Sequence, residues 1–339
     1  MKLFRRGTLA LAFGGLLALS GAGCGGSAAP VQTPAALFKG SNNQPQFLNQ
    51  IADAPFQNAY YARRHVWQSY KEANGPQTLE YTEEVWSDGL GHFSVTPEHL
   101  IHPALPAQGE QIFLLMQKAR EGFIYRLRDF RIRDLGEFLQ GYTVEDLGRH
   151  ETIAGQDCES LRIRSIQASP TYWEFEVLPA NGLILATREY TAQGGALVSS
   201  VETTEYQANP NLAAVNLHQD LPATAFTPAT EQQVLGFHAL QPGFLPQGFT
   251  LTKSEKVSQG SEAWARFGYS DGADTLFVLY RRLPLSGTQT GDPGNPYTIK
   301  IFRVGRWTVA QASFGRHVII AMGQQPATVM QQIVESSAP

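Results

Sequence analysis

Tyr172-Trp173-Glu174-Phe175-Glu176-Val177, followed by Asn181-Gly182 and Leu183-Ile184-Leu185, is the stretch that decides the fold. Trp173, Phe175 and Val177 alternate with Tyr172, Glu174 and Glu176, the period-two pattern of a strand with two unlike faces. Asn181-Gly182 supplies the positive φ angles that a tight hairpin needs, so Leu183 to Tyr190 runs back antiparallel. Gly194-Gly195 turns the chain again, and Leu197 to Tyr206 gives a further strand of the same meander.

The pattern extends in both directions. Upstream, Leu79, Tyr81 and Val85 alternate with Glu80, Thr82 and Glu84, Asp88-Gly89 turns, and Phe93 and Val95 return. Before them, Phe47, Leu48, Ile51 and Ala52 share one helical face, and Pro55 stops the helix. Gln111 to Arg120 places Ile112, Leu115, Met116 and Ala119 at helical spacing, predicting a helix across one face of the sheet. Downstream, from Asn209 to about Phe237, alternation dissolves around Pro210, Pro222 and Pro228, which marks a boundary. A second alternating region follows: Phe249 to Val257, Ala263 to Tyr269, Thr275 to Tyr280, Tyr297 to Val304, Thr308 to Ala312 and His317 to Met322. Pro326 then opens a last helix with Val329, Met330, Ile333 and Val334 on one face. The expected fold class is α+β, with a first sheet domain over 45–208, a linker over 209–236 and a smaller sheet domain with a C-terminal helix over 237–339.

The N-terminus points to export. Lys2, Arg5 and Arg6 precede an apolar run from Thr8 to Leu19 that ends in small residues, as in a signal peptide over 1–23. That run is shorter than the roughly 20 residues that cross a bilayer as a helix. Leu19-Ser20-Gly21-Ala22-Gly23-Cys24 resembles a bacterial lipobox, with Gly21 where an aliphatic residue is usual, and this makes Cys24 the candidate lipidation site. Each buried CH₂ of an acyl chain contributes about 0.8 kcal/mol, so two or more chains hold a protein at a membrane. Gly25 to Ala36 mixes flexible glycine with stiff proline, and residues 24–44 read as a tether. Gly25 is not the aspartate that resembles an inner-membrane retention signal, which favours the outer membrane. Loss of the signal peptide removes three cations and no acid, taking the formal net charge from -4 to -7. An acidic chain argues against nucleic acid as a partner. Cys158 is the one other cysteine, so an acylated Cys24 leaves no internal disulfide.

No catalytic arrangement stands out, and no cofactor or metal is expected. His150-Glu151-Thr152-Ile153-Ala154 begins like a zinc-protease motif but lacks the second histidine and lies in a strand pattern. His92, His99 and His102 are near in sequence without a carboxylate or cysteine at ligand spacing. Cys158 has no base beside it in sequence and reads as a buried structural thiol. Nucleophile elbow, phosphate loop and dinucleotide fingerprint are all missing from the sequence.

Several segments resemble the MucB/RseB group of envelope regulators, whose larger domain has the fold of lipoprotein carriers such as LolA. They are Phe47 to Ala54 with Tyr60-Tyr61-Ala62, Ala154 to Cys158, the Tyr172 to Leu185 stretch, Leu245-Pro246-Gln247-Gly248-Phe249, Tyr269-Ser270-Asp271-Gly272 and Gly323-Gln324-Gln325-Pro326-Ala327-Thr328-Val329. Any one of the turn motifs also arises from hairpin chemistry alone. The resemblance implies a strongly curved half-barrel with an apolar concave face able to hold acyl chains, and a small domain that contacts a membrane-bound anti-sigma factor. A curved sheet under a helix leaves room for hydrocarbon, with Tyr81, Val85, Phe93, Trp173, Phe175 and Val177 as candidate lining; the same alternation equally describes a packed core. Arg126, Arg128, Arg131 and Arg133 alternate with Leu127, Phe130 and Ile132, and either face anionic lipid or an acidic partner or form a solvated strand face, the reading favoured here. The expectation is a non-enzymatic, lipid-anchored regulator on the periplasmic side of a bacterial membrane, with a lipid carrier of the LolA type and an envelope hydrolase as alternatives.

Overall fold

Two antiparallel sheets, one of eight and one of seven strands, carry nearly all the regular structure. The computed structural model describes residues 44–72, 75–101, 129–167, 169–217, 223–259, 262–283, 299–304 and 307–337. The first sheet holds β1 (Ala59–Glu72), β2 (Gly75–Asp88), β3 (Phe93–Leu100), β4 (Tyr142–Ile153), β5 (Gln156–Ser165), β6 (Thr171–Val177), β7 (Ile184–Thr191) and β8 (Leu197–Ala208). Its order is β3-β2-β1-β8-β7-β6-β5-β4. Each hairpin expected from the alternation is present: Val85 sits opposite Val95, and Phe175 opposite Thr187. The non-local pairing of β1 with β8, Val66 opposite Val201, joins the N-terminal hairpins to the later meander. β3 and β4 lie at opposite edges, so among the described residues the sheet is open rather than closed into a barrel.

Helix α1 (Gln44–Asp53) and a 3₁₀ turn (Ala54–Phe56) precede the sheet. Phe47, Leu48 and Ile51 bury their shared face against Leu161, Ile163, Phe175 and Val177. Gly182, at φ +75°, is needed twice over: for the turn, and because a Cβ there would come within 2.6 Å of the Gln50 carbonyl oxygen of α1. Val66, Leu79, Tyr81, Val85 and Val95 form a separate cluster toward the other edge.

The polar alternate positions of β6 are nearly as buried as the apolar ones, Glu174 being 6% and Glu176 1% exposed. Arginines from neighbouring strands lie across them: Arg162 and Arg149 bind Glu174 at 2.7 and 2.6 Å, and Arg188 binds Glu176 at 3.2 Å. Each buried carboxyl group thus has a guanidinium group within hydrogen-bond reach.

The arginine run departs from expectation. Arg126 and Arg128, and the helix expected over Gln111 to Arg120, lie outside the described residues. Arg131 and Arg133 lie on an irregular connection before α2 (Leu135–Gly141), not on a strand face. The backbone N–H groups of Arg133 and Asp134 donate to the Gly272 carbonyl, at 2.8 and 3.4 Å, instead of to a neighbouring strand of their own sheet. Alternation still sorts the side chains, since Phe130 and Ile132 enter the first core.

The second sheet runs β13-β14-β15-β12-β11-β10-β9. Its strands are β9 (Ala223–Ala225), β10 (Thr250–Gln259), β11 (Glu262–Ser270), β12 (Thr275–Arg282), β13 (Lys300–Val304), β14 (Trp307–Phe314) and β15 (His317–Gly323). α3 (Glu231–Leu235) and α4 (Ala327–Ser336) complete it. Met330, Ile333 and Val334 of α4 are fully buried on Phe267, Val278 and Ile319. Within the stretch expected to link the two sheets, Ala223–Ala225 pairs with β10, and Phe226 and Leu235 enter the second core.

Candidate functional site

The two sheets meet at the turn between β11 and β12. Ala273 of that turn is buried with the first core, among Phe138, Tyr142 and Ile132. Gly272 adopts φ +93°, and a Cβ there would lie 2.7 Å from Phe138 Cα, so the turn approaches α2 as only glycine permits. Around it, Tyr142 donates to Asp271 at 2.6 Å, Arg133 Nε to the Ala273 carbonyl at 3.0 Å, and the Thr250 hydroxyl to Glu137 at 2.7 Å.

Beside this junction lies a cleft of about 440 Å³. One wall is Ala52, Asp53 and Phe56 with Arg131 to Asp134; the other is Thr252, Lys253, Arg266, Ser270, Thr275 and Phe277 of the second sheet. Four cations and two carboxylates thus line it. Arg266 is held by Glu255 at 2.7 Å, and the Lys253 ammonium reaches the same carboxylate at 3.5 Å while lying 5.8 Å from the Phe277 ring centre. Asp134 caps α2 by accepting from the Glu137 N–H at 2.8 Å. The Oγ1 of Thr275, a residue 7% exposed, has no hydrogen-bond partner among the described residues. A half-apolar, cation-rich cleft with such a group suits a ligand carrying both apolar and acidic groups.

Two pockets on the first sheet, among the described residues, are much smaller. One of about 60 Å³ is bounded by Ile51, Pro55, Tyr60, Phe130, Leu185 and Val201, and one of about 10 Å³ by Val85, Phe93 and Val95. Ligand cavities span roughly 300–1,000 Å³, a range that the cleft between the sheets meets and these two do not. Val85 and Phe93 therefore meet at a small void and Tyr81 is fully buried beside them, whereas Trp173, Phe175 and Val177 pack under α1. The six candidates fall in two clusters. Arg131 borders all three cavities. Arg64, between the two smaller ones, binds Glu83 at 2.5 Å and Asp129 at 2.7 Å, with the Glu83 side chain wholly buried.

Other candidates are dispersed. Cys24 and His102 lie outside the described residues. His150 is exposed, 3.7 Å from Asp157, and His92 pairs with Asp88 at 2.6 Å. Cys158 is fully buried, and burial together with the nearby Glu176 carboxylate pushes its thiol up to about 12, far from nucleophilic at neutral pH. Among the described residues no group of three or more His, Cys, Asp or Glu is placed to hold a metal ion, and no helix is long and apolar enough to cross a membrane. Lys253, Arg266 and Thr275 escaped the sequence reading because each lies on a different strand in an ordinary strand pattern.

No family model and no curated protein matches the chain. Among solved structures, it is similar to the MucA/MucB complex of Pseudomonas aeruginosa, with 16% identity over 87% of this chain and 98% of that one and a TM-score of 0.48. A structure of MucB shares 18% identity over 88% of this chain and 98% of its own, with a TM-score of 0.47. A LolA superfamily protein of Nitrosomonas europaea shares 9% identity over 84% of this chain and 96% of its own, with a TM-score of 0.19.

Proposed function

We propose that this chain is a lipid-anchored envelope protein that binds a membrane-bound regulator through the cleft between its two sheets and releases it when an amphipathic or lipid ligand arrives. The observation that carries the reading is the cleft itself: a ligand-sized cavity walled by both sheets, so that its shape depends on how they dock. A ligand releases the partner only if the two compete or prefer different arrangements of the sheets, and a cleft walled by both sheets offers a place where they would compete. The export signal and Cys24 support an envelope location, and the segments that resemble the MucB/RseB group imply an anti-sigma factor as the partner.

The test is affinity capture of detergent-solubilised envelope proteins on the acylated chain, beside the Lys253→Glu variant. Recovery of a single-span regulatory protein, lost with the variant, is the expected result. Capture of no membrane protein, or equal capture by the variant, would sink the proposal. A second reading, a lipid carrier, rests on the small pocket between α1 and the first sheet, whose apolar lining is interrupted by Arg64, Asp129 and Arg131. It requires that pocket to widen severalfold, and native mass spectrometry showing one lipid per chain would favour it.

A further inference from the structure

Three strands of the second sheet bring a lysine, a ring and a hydroxyl to one part of the cleft. Lys253 of β10 and Phe277 of β12 both sit opposite Gly268 of β11, and Thr275 sits opposite Ser270, two residues along. Alternation puts all five positions on the same face. A Cβ at Gly268 would come within 2.8 Å of Lys253 Cγ, 3.2 Å of Lys253 Cε and 3.4 Å of Phe277 Cε1. The missing methyl group therefore leaves the space in which the lysine stem lies across β11, with its ammonium 5.8 Å from the Phe277 ring centre.

The two walls differ in charge. Arg131 and Arg133 on the first stand with Asp53 and Asp134, whereas on the second Lys253 and Arg266 share the one carboxylate of Glu255. Arg266 takes that carboxylate through two nitrogens, at 3.0 and 2.7 Å, and leaves Lys253 a contact of 3.5 Å, too long for a good hydrogen bond. Among the described residues the cleft thus carries one cation in excess, on the wall that holds Lys253. On the same wall is the buried Thr275 hydroxyl, which has no hydrogen-bond partner among the described residues. Phe56, 49% exposed, stands on the wall opposite.

We propose that Lys253 and Thr275 form a subsite for a single carboxylate carried on an apolar stem, and that Gly268 is the positioning residue that lays Lys253 into it. A carboxylate accepts from both the ammonium and the hydroxyl and offsets the surplus charge, while Phe56 offers its stem an apolar surface. A phosphate monoester brings nearly two negative charges, and the second would face Asp53, Asp134 and Glu255.

The inference rests on the cleft being a binding site, as proposed above, and adds what its occupant must present. The test is isothermal titration of the full chain carrying Cys24→Ser, so that no acyl chain of its own competes. It compares octanoate with 1-octanol, and N-acetylphenylalanine with its amide. Within each pair the apolar stem is the same and the charge differs; the first carboxylate is that of an acyl chain, the second that of a peptide C-terminus. In at least one pair the carboxylate is expected to bind about tenfold more tightly or better, and the pair that shows it identifies the source. Octyl phosphate is expected to bind more weakly than octanoate. Lys253→Met is expected to abolish the preference and Thr275→Val to reduce it roughly fivefold. Gly268→Ala is expected to reduce it while leaving the affinity for the neutral probes unchanged, because its Cβ displaces only the lysine stem. Equal affinity or no binding within both pairs, a preference that survives Lys253→Met, or tighter binding of octyl phosphate would overturn the subsite; an undiminished preference in Gly268→Ala would overturn the positioning role. A carboxylate preference in a chain that captures no regulator would uphold the subsite and sink only the regulator reading, and capture without any preference would do the reverse.

Discussion

The hydroxyl of Tyr142, first residue of β4, donates to the carboxylate of Asp271 in the β11–β12 turn at 2.6 Å, a charge-assisted hydrogen bond across the junction of the two sheets. Burial, and then the Asp271 charge, push the Tyr142 phenol far above its ordinary pKa, so it remains a donor at every accessible pH. A hydrogen bond to a charged group contributes about 1.5–3 kcal/mol. Tyr142→Phe should lose about that much, read as a lower urea midpoint with the slope unchanged. An unchanged midpoint would show the bond contributes nothing net.

Gly272 and Gly315 form a matched pair. Both adopt positive φ, +93° and +56°, but a Cβ on Gly315 meets nothing within 4 Å, whereas one on Gly272 strikes the Phe138 backbone. Gly315→Ala should cost about 1–2 kcal/mol from the left-handed conformation alone. Gly272→Ala should cost at least about 2 kcal/mol more, because the junction itself must shift. Equal losses in thermal unfolding would mean that the close approach is relieved cheaply.

Glu176 provides a pH-dependent prediction within the first sheet. Burial, reinforced by Glu151 and opposed by the Ser160 hydroxyl and Arg188, raises its carboxyl from 4.5 to about 7. The folded state therefore keeps a proton that the unfolded state loses between those values, and this contribution to stability declines as pH rises through 7. Glu176→Gln should match the parent below pH 4.5 and exceed it by about 2 kcal/mol at pH 8. Parallel stability curves for the two proteins from pH 4 to 8 would refute the shift.

Arg64 anchors a buried ionic group with Glu83 and Asp129. Removing one member of a buried ionic group typically costs about 3–5 kcal/mol. Arg64→Met, which keeps the aliphatic volume, should lose roughly 3 kcal/mol, while Arg64→Met with Glu83→Gln should recover part of it. No recovery in that double-mutant cycle would place the loss in packing rather than charge.

Strands, turns and terminal helices were legible in the sequence because their causes are local. Alternation in Trp173-Phe175-Val177 and the positive φ of Gly182 depend on residues within a few positions of each other. Arg131 and Arg133 were expected on a solvated strand face, and they border the cleft instead. Their placement on a connection rather than a strand was not legible, because their backbone partner is Gly272, far along the chain.

By itself, the amino-acid sequence determined that this chain builds antiparallel sheets with an apolar helix before the first and after the last of the described strands. Only the tertiary structure decided that β1 pairs with β8, that the six aromatic and aliphatic candidates divide between two cores, and that a cleft of about 440 Å³ lies between the sheets. The physical reason is range: periodicity and turn chemistry report which face of an element is apolar, but not which distant face covers it.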